Sequence, residues 1–252
     1  MHNKQKKGKH NMSQNVLVVH GGGPTAVINA SLYGVIEEAK RNQEVGKVYG
    51  AIGGTGAIFS ETFIDLTSFD DEKLKLLLHT PASAIGSSRY PLYEKDYEKM
   101  VDIFKKHDIK YVLLNGGNGT MDACGHIYEV CKDQDIKVVG IPKTIDNDIA
   151  MTDHSPGYGS AAKYIGTSMK EIIRDSFCLE YEKGVVSIVE IMGRNAGYIA
   201  LWCGIANGAE DILLPEKYDY DEQKIINNII ENRKKGIIFL LLSSFLLNFA
   251  DE

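Results

Sequence analysis

Two patterns of apolar residues take turns along the chain. Short continuous runs read as buried strands at Asn15 to Val19, Lys47 to Ile52, Tyr111 to Leu114, Lys137 to Val139 and Val185 to Ile191. Between them, apolar residues recur at steps of three and four, the mark of a helix with one buried face. These sets are Ile28, Leu32, Val35, Ile36 and Ala39; Leu74, Leu77 and Leu78; Tyr97, Met100, Val101 and Phe104; and Met121, Cys124, Ile127, Tyr128 and Cys131. Ala162, Ile165, Met169 and Ile173 continue the series, and Ile225, Ile226, Ile229 and Ile230 close it within a helix from Asp221 to Lys234. Strands that alternate with helices predict an α/β fold with parallel sheets. A weak boundary is expected near residue 150, where Asp153 to Gly159 reads as loop.

Most of these strands run into glycine. Gly21-Gly22-Gly23-Pro24 separates the first strand from its helix, and Asn115-Gly116-Gly117-Asn118-Gly119-Thr120 stands at a second strand-to-helix junction. Glycines let backbone N–H groups approach a ligand, and a helix N-terminus favours negative charge, so such junctions suit phosphates. Neither junction has the dinucleotide or Walker spacing. Two in one parallel sheet would converge at its carboxyl edge, where a polyphosphate is the economical ligand. Arg89, after Gly86-Ser87-Ser88, and Arg194, in Met192-Gly193-Arg194, are candidate phosphate clamps; the alternative for each is a solvated arginine.

The stretch Gly140-Ile141-Pro142-Lys143-Thr144-Ile145-Asp146-Asn147-Asp148 follows the fourth of these runs. If it is extended, the i, i+2 spacing points Asp146 and Asp148 the same way, toward one substrate or metal. The competing reading is a solvated Asp-Asn-Asp turn.

Composition narrows the classes. The chain has 252 residues, 44% hydrophobic, and a formal charge of −6, which gives no general nucleic-acid footprint. Lys4, Lys6, Lys7 and Lys9 form a basic tail through residue 13, expected to be disordered, with Met12 as an alternative start. No apolar segment follows the tail, so a cytoplasmic location is the default expectation. The four cysteines lack paired C-x-x-C spacing and are expected as buried free thiols.

Taken together, Gly21-Gly22-Gly23-Pro24, Gly116-Gly117-Asn118-Gly119-Thr120, Pro142 to Asp148 and Met192-Gly193-Arg194 resemble the phosphofructokinase family in order and spacing, from about Gln14 to about Gly236. The resemblance implies two Rossmann-like subdomains, 14 to 150 and 151 to 252, with mainly parallel sheets and the second incomplete. It implies phosphoryl transfer to the 1-hydroxyl of fructose 6-phosphate with Mg2+, in a homo-oligomer, without nucleic acid or membrane. Asp146 would accept the hydroxyl proton, and Asp148 would help organise sugar and metal. Thr144 and Arg194 would hold the phosphoryl group in flight, while Met192 and Gly193 would line the sugar site. Gly22, Arg89, Gly119, Thr120 and Lys143 would face the donor, and Asn118 would stand at a magnesium-binding position that is usually aspartate.

The donor is expected to be ATP, because pyrophosphate-using members usually carry aspartate at the position of Gly119. Lys143 is typical of pyrophosphate users and keeps that donor as the alternative. Val185 stands where many members place an arginine for the sugar phosphate. Beyond Gly236 the chain turns apolar from Ile237 to Phe249, shorter than the roughly 20 residues a bilayer span needs. That departure suggests a truncated member, possible origin a frameshift near Lys235, and leaves a non-catalytic nucleotide-binding fragment as a reading from another class. A dinucleotide-binding oxidoreductase is disfavoured by the glycine spacing.

Overall fold

The computed structural model describes residues 14–178, 185–217, 221–235 and 239–243, the last five by their backbone. The basic tail and the apolar stretch after residue 243 lie outside the described residues, as does part of the segment leading into residue 185. The chain divides into two compact units, Met1–Lys143 and Thr144–Glu252.

The first unit is an α/β layer structure. Its elements in order are β1 (Gln14–His20), α1 (Ala26–Arg41), β2 (Val45–Ala51), α2 (Gly56–Phe59), β3 (Phe63–Asp65), α3 (Asp71–Lys75), α4 (Glu94–Lys106), β4 (Ile109–Gly116), α5 (Asn118–Cys131) and β5 (Lys137–Pro142). They form a sheet of order β3-β2-β1-β4-β5, parallel except for the antiparallel edge strand β3. β1 is central, which explains its uninterrupted apolar run: both faces are covered. Leu17 and Val19 face Met100, Phe104, Val112 and Ile127 on one side, and Val16 and Val18 face Leu32, Ile36, Val48 and Leu74 on the other. Each such aliphatic side chain contributes about 1.5–3 kcal/mol by burial.

The helical stripe of α4 is buried at all four expected positions. In α5, Cys124, Ile127 and Cys131 are buried but Tyr128 is 50% exposed, because it falls at the margin of the stripe. The helix expected through Leu78 stops at Lys75 and tightens into a 3₁₀ turn over Leu76–His79, which turns Leu76 and Leu78 outward. β5, expected as a buried strand, is an edge strand with Val139 51% exposed. β3 carries too few residues for a periodic signal and was not legible.

The second unit contains α6 (Tyr158–Phe177), β6 (Val186–Glu190), α7 (Tyr198–Asn207), β7 (Asp211–Leu213), α8 (Glu222–Lys234) and β8 (Phe239–Ser243). Its parallel sheet has the order β6-β8-β7. Tyr158, Met169, Ile191, Ile199 and Cys203 form its core. α8 buries less than its isoleucines suggested: Ile226 and Ile230 are exposed, and Ile225 and Ile229 only partly covered. Cys124, Cys131 and Cys203 are buried free thiols, and burial pushes the Cys131 thiol up to about 11. Cys178, expected with them, is exposed at the end of α6. No helix among the described residues is long and apolar enough to cross a membrane.

Candidate active site

In the first unit the chain leaves β1 to one side of the sheet, through α1 to β2, and leaves β4 to the other, through α5 to β5. Adjacent strands whose connections diverge open a crevice at their carboxyl ends, the usual ligand position of open α/β sheets. The two glycine turns flank that point.

The turns are fitted together by one side chain. Thr120, 8% exposed at the third position of α5, occupies the space beside both Gly21 and Gly116, and a Cβ on either glycine would collide with its Oγ1. Gly116 would also meet the Gly21 carbonyl oxygen at 2.7 Å. These two glycines answer to packing. Gly119 does not: among the described residues no heavy atom lies within 4 Å of a Cβ built there, and its φ is not in the left-handed region.

Helix starts fall into two groups: α3 and α8 carry a side-chain cap, whereas α1 and α5 at this crevice, like α2, α6 and α7, carry none. Asp70 caps α3 by accepting from Lys73 N at 2.7 Å, and Asp221 caps α8 by accepting from Lys224 N at 3.1 Å. The N-cap residues of α1 and α5, Thr25 and Gly117, make no side-chain capping bond. First-turn N–H groups without a side-chain acceptor, together with the helix dipole, form a receptive end for an anion.

Lys143, only 3% exposed, links the crevice to the end of β5. Its N–H donates to the Gly116 carbonyl at 2.9 Å and its ammonium donates to the Gly23 carbonyl. A buried ammonium beside the glycine turn supplies positive charge that solvent screens poorly. Sequence reasoning missed His20, the last residue of β1, which is fully buried and hydrogen-bonded through Nδ1 to Ser83 Oγ at 2.8 Å. Burial, and then the nearby Lys143 ammonium, lower its pKa to about 4, so the imidazole is neutral at ordinary pH. Asn29 and Asn115, also fully buried, were missed too; a lone amide within an apolar stripe or at a strand end was the available signal.

Gly22 lies in the left-handed region, φ 74°, with its N–H donated to Ser88 O and its carbonyl accepting from Ser87 Oγ. Of the residues assigned to the donor, the fold therefore gathers Gly22, Thr120, Lys143 and the segment ending at the exposed Arg89, with Gly119 adjoining Thr120 on α5.

In the second unit, Thr144 pairs with Gly157 and its N–H donates to Pro156 O at 3.1 Å. Thr144 Oγ1 accepts from Asp146 N at 3.1 Å, which ties the carboxylate-bearing residue to the hydroxyl. The segment is not extended. It bends at Ile145 and Asp146, and Asn147 takes φ 57°, so the alternation that would aim Asp146 and Asp148 alike does not apply. Asn147 is the inward residue: its amide donates to Asp153 O at 3.1 Å and its carbonyl accepts from Ser155 N at 2.8 Å. Asp146 is half-buried and Asp148 exposed. Met192, 65% exposed, Gly193, with φ 135°, and the exposed Arg194 form a turn after β6. Among the described residues no group of three or more His, Cys, Asp or Glu could hold a metal.

A family model described as Phosphofructokinase matches residues 15–243, reaching the end of β8. The pyrophosphate–fructose 6-phosphate 1-phosphotransferase of Halomonas elongata is 38% identical over 88% of this chain and 56% of its own length. The ATP-dependent 6-phosphofructokinase of Streptococcus equi subsp. zooepidemicus is 32% identical over 90% of this chain and 65% of its own. The crystal structure of a pyrophosphate-dependent phosphofructokinase from Nitrosospira multiformis superposes with a TM-score of 0.84 at 34% identity, covering 92% of this chain and 61% of that one. The chain thus spans less than two thirds of the length of each.

Proposed function

The chain belongs to the phosphofructokinase family, and on that premise we propose that it transfers a phosphoryl group from ATP to the 1-hydroxyl of fructose 6-phosphate, giving fructose 1,6-bisphosphate. The observation that carries the reading is the pair of glycine turns at the diverging strands of the first unit, each feeding a helix whose start has no side-chain cap.

In this reading Asp146 takes the proton of the 1-hydroxyl as its oxygen bonds to the γ-phosphorus. The bond from that phosphorus to the bridging oxygen breaks, ADP leaves with the electron pair, and the proton passes from Asp146 to solvent. Thr144 and Arg194 stabilise the charge spread over the transferring group, where most of the catalysis of phosphoryl transfer arises. Met192 and Gly193 line the sugar site. Gly22, Gly119, Arg89 and Lys143 face the donor, with Thr120 acting mainly as the wedge that sets the two turns. Asp148 and Asn118 would hold magnesium, which neutralises phosphate charge when bound.

ATP is preferred as donor because neither packing nor backbone conformation requires a glycine at 119, so the missing side chain leaves room on the ligand side. A specific observation favours the second reading, pyrophosphate: Lys143 reaches the glycine turn, and relatives named for pyrophosphate reach 39% identity against 32% for those named for ATP. The purified chain supplied with fructose 6-phosphate and each donor in turn, with product followed by 31P NMR, tests both. Transfer from pyrophosphate alone would replace the first reading by the second, and calorimetric binding of a donor without transfer by either would support a nucleotide- or phosphate-binding role instead.

A further inference from the structure

The loop Thr80–Ser88 is held at two buried points. Asn29, fully buried on α1, donates to Thr80 O at 2.8 Å and Ala82 O at 2.9 Å, and accepts from Ala84 N at 2.8 Å. That clamp maintains Ala82 at φ 60°, a conformation costly for alanine. The second point is His20. Ser83 Oγ donates to Gly86 O at 2.7 Å, so its single hydrogen is engaged and the 2.8 Å contact to His20 Nδ1 needs the proton on that nitrogen. The tautomer is therefore fixed, and among the described residues no donor reaches the buried Nε2.

What the loop holds is the pair of peptides that meet at Gly22: Ser88 takes the N–H of the first, and Ser87 takes the carbonyl of the second, the Gly22–Gly23 peptide. Ser87 Oγ donates to Gly22 O at 2.6 Å, and Ser88 O accepts from Gly22 N at 3.2 Å. In a planar trans peptide the carbonyl and the following N–H point opposite ways. With the Gly22 carbonyl turned to Ser87, the Gly23 N–H is turned away from the loop. Flanked by glycines, this peptide could rotate at little cost and present an oxygen to an incoming anion instead. A carbonyl dipole facing phosphate is repulsive where an N–H is attractive.

We propose that Ser87, held in place by His20 and Asn29 through the Thr80–Ser88 loop, is a positioning residue that locks the Gly22–Gly23 peptide with its N–H toward the phosphoryl donor. The proposal rests on the reading of this turn as the donor site. It assigns a task to four buried or half-buried polar residues that the transfer mechanism does not use: His20, Asn29, Ser83 and Ser87.

The test compares wild type with Ser87→Ala, Ser87→Thr, His20→Gln and His20→Asn in the full chain. Binding of inorganic pyrophosphate and of ATP is titrated by calorimetry, and amide exchange at Gly22, whose N–H lies in the adjoining peptide and is held by Ser88 O, is followed by NMR as a report on the loop's grip on the turn. Ser87→Ala is expected to weaken whichever donor the wild type binds by about tenfold and to speed Gly22 exchange by a similar factor. Exchange at Leu17 to Val19 should stay unchanged, which separates the lock from a general loss of stability. Ser87→Thr, which keeps the hydroxyl, should restore both. Asparagine can place an amide near Nδ1, so His20→Asn should bind donor more tightly than His20→Gln, whose amide falls near Nε2. Equal donor affinity in wild type and Ser87→Ala would overturn the lock, as would weakened affinity that Ser87→Thr fails to rescue. A wild type that binds neither donor would overturn the donor reading itself, and that result is distinguishable from the other two.

Discussion

The two ends of the first unit's parallel strands differ in the balance of exposed and buried polarity, with Asn15, bonded to His107 O and Lys47 N, the buried polar side chain at the amino end of β1. At the amino end of β4 and β5, Lys110 pairs with Asp135 at 2.9 Å, with the aspartate side chain 82% exposed. Asp108 and Asp135 there take left-handed turns, a conformation aspartate tolerates. At the carboxyl end, His20, Asn115, Thr120 and Lys143 are all below 10% exposed, and most of their bonds go to backbone rather than to other side chains. Charge in solvent is replaceable, whereas buried polarity fixes geometry because each group left unpaired costs about 1–3 kcal/mol. The difference marks the carboxyl end as the place where arrangement, rather than stability alone, is being maintained.

Substitutions should separate the two ends, and the family chemistry gives the largest effect. Asp146→Asn is expected to lower phosphoryl transfer by about 10²–10⁴-fold while donor binding measured by calorimetry persists, because only the proton acceptor is removed. Retained turnover would remove Asp146 from its role. At the carboxyl end, Gly116→Ala forces a Cβ against Thr120 and the Gly21 carbonyl, and should destabilise the fold by about 3 kcal/mol in urea unfolding. A neutral outcome would mean that the wedge between the turns is loose.

His20 gives this end a pH dependence. Its folded pKa, about 4, lies below the ordinary 6.5, so between those values the unfolded chain binds the proton and the folded chain does not. The His20 contribution is fully present above pH 6.5 and is lost as pH falls toward 4, by up to about 3 kcal/mol. His20→Asn should flatten that slope in urea titrations, and an unchanged slope would assign it to other groups. Gly119→Ala, on the same helix as Thr120 but facing open space, should be neutral or stabilising by about 0.5–1 kcal/mol. At the amino end, Lys110→Ala should move Tm by no more than about 2 °C, the smallest effect of the series. A larger shift would erase the contrast between the ends.

Much of this was legible from residue order. The stripe of α4 and the continuous run of β1 predicted their burial because period and composition report which faces meet the core. The glycine turns and the Pro142 to Asp148 segment were found as motifs, and the family match supports their identification. The misses share a cause. Tyr128, Ile226 and Ile230 sit at helical steps, yet exposure depends on whether a neighbour covers them. The paired aim of Asp146 and Asp148 assumed an extended backbone, and a single left-handed Asn147, stabilised by Asp153 and Ser155 from farther along the chain, removes it.

By itself the sequence determined the fold class, the family and the residues available for chemistry, because periodicity, glycine placement and motif order are local or ordered along the chain. Only the tertiary structure decided which glycines answer to packing, that Thr120 is a wedge, and that His20 and Asn29 hold a loop against the glycine turn. Apart from the short-range fit of Thr120 against Gly116, those facts rest on contacts between residues 51 to 99 positions apart, such as Asn29 with Thr80 and Gly21 with Thr120, and nothing in local propensity records such a meeting.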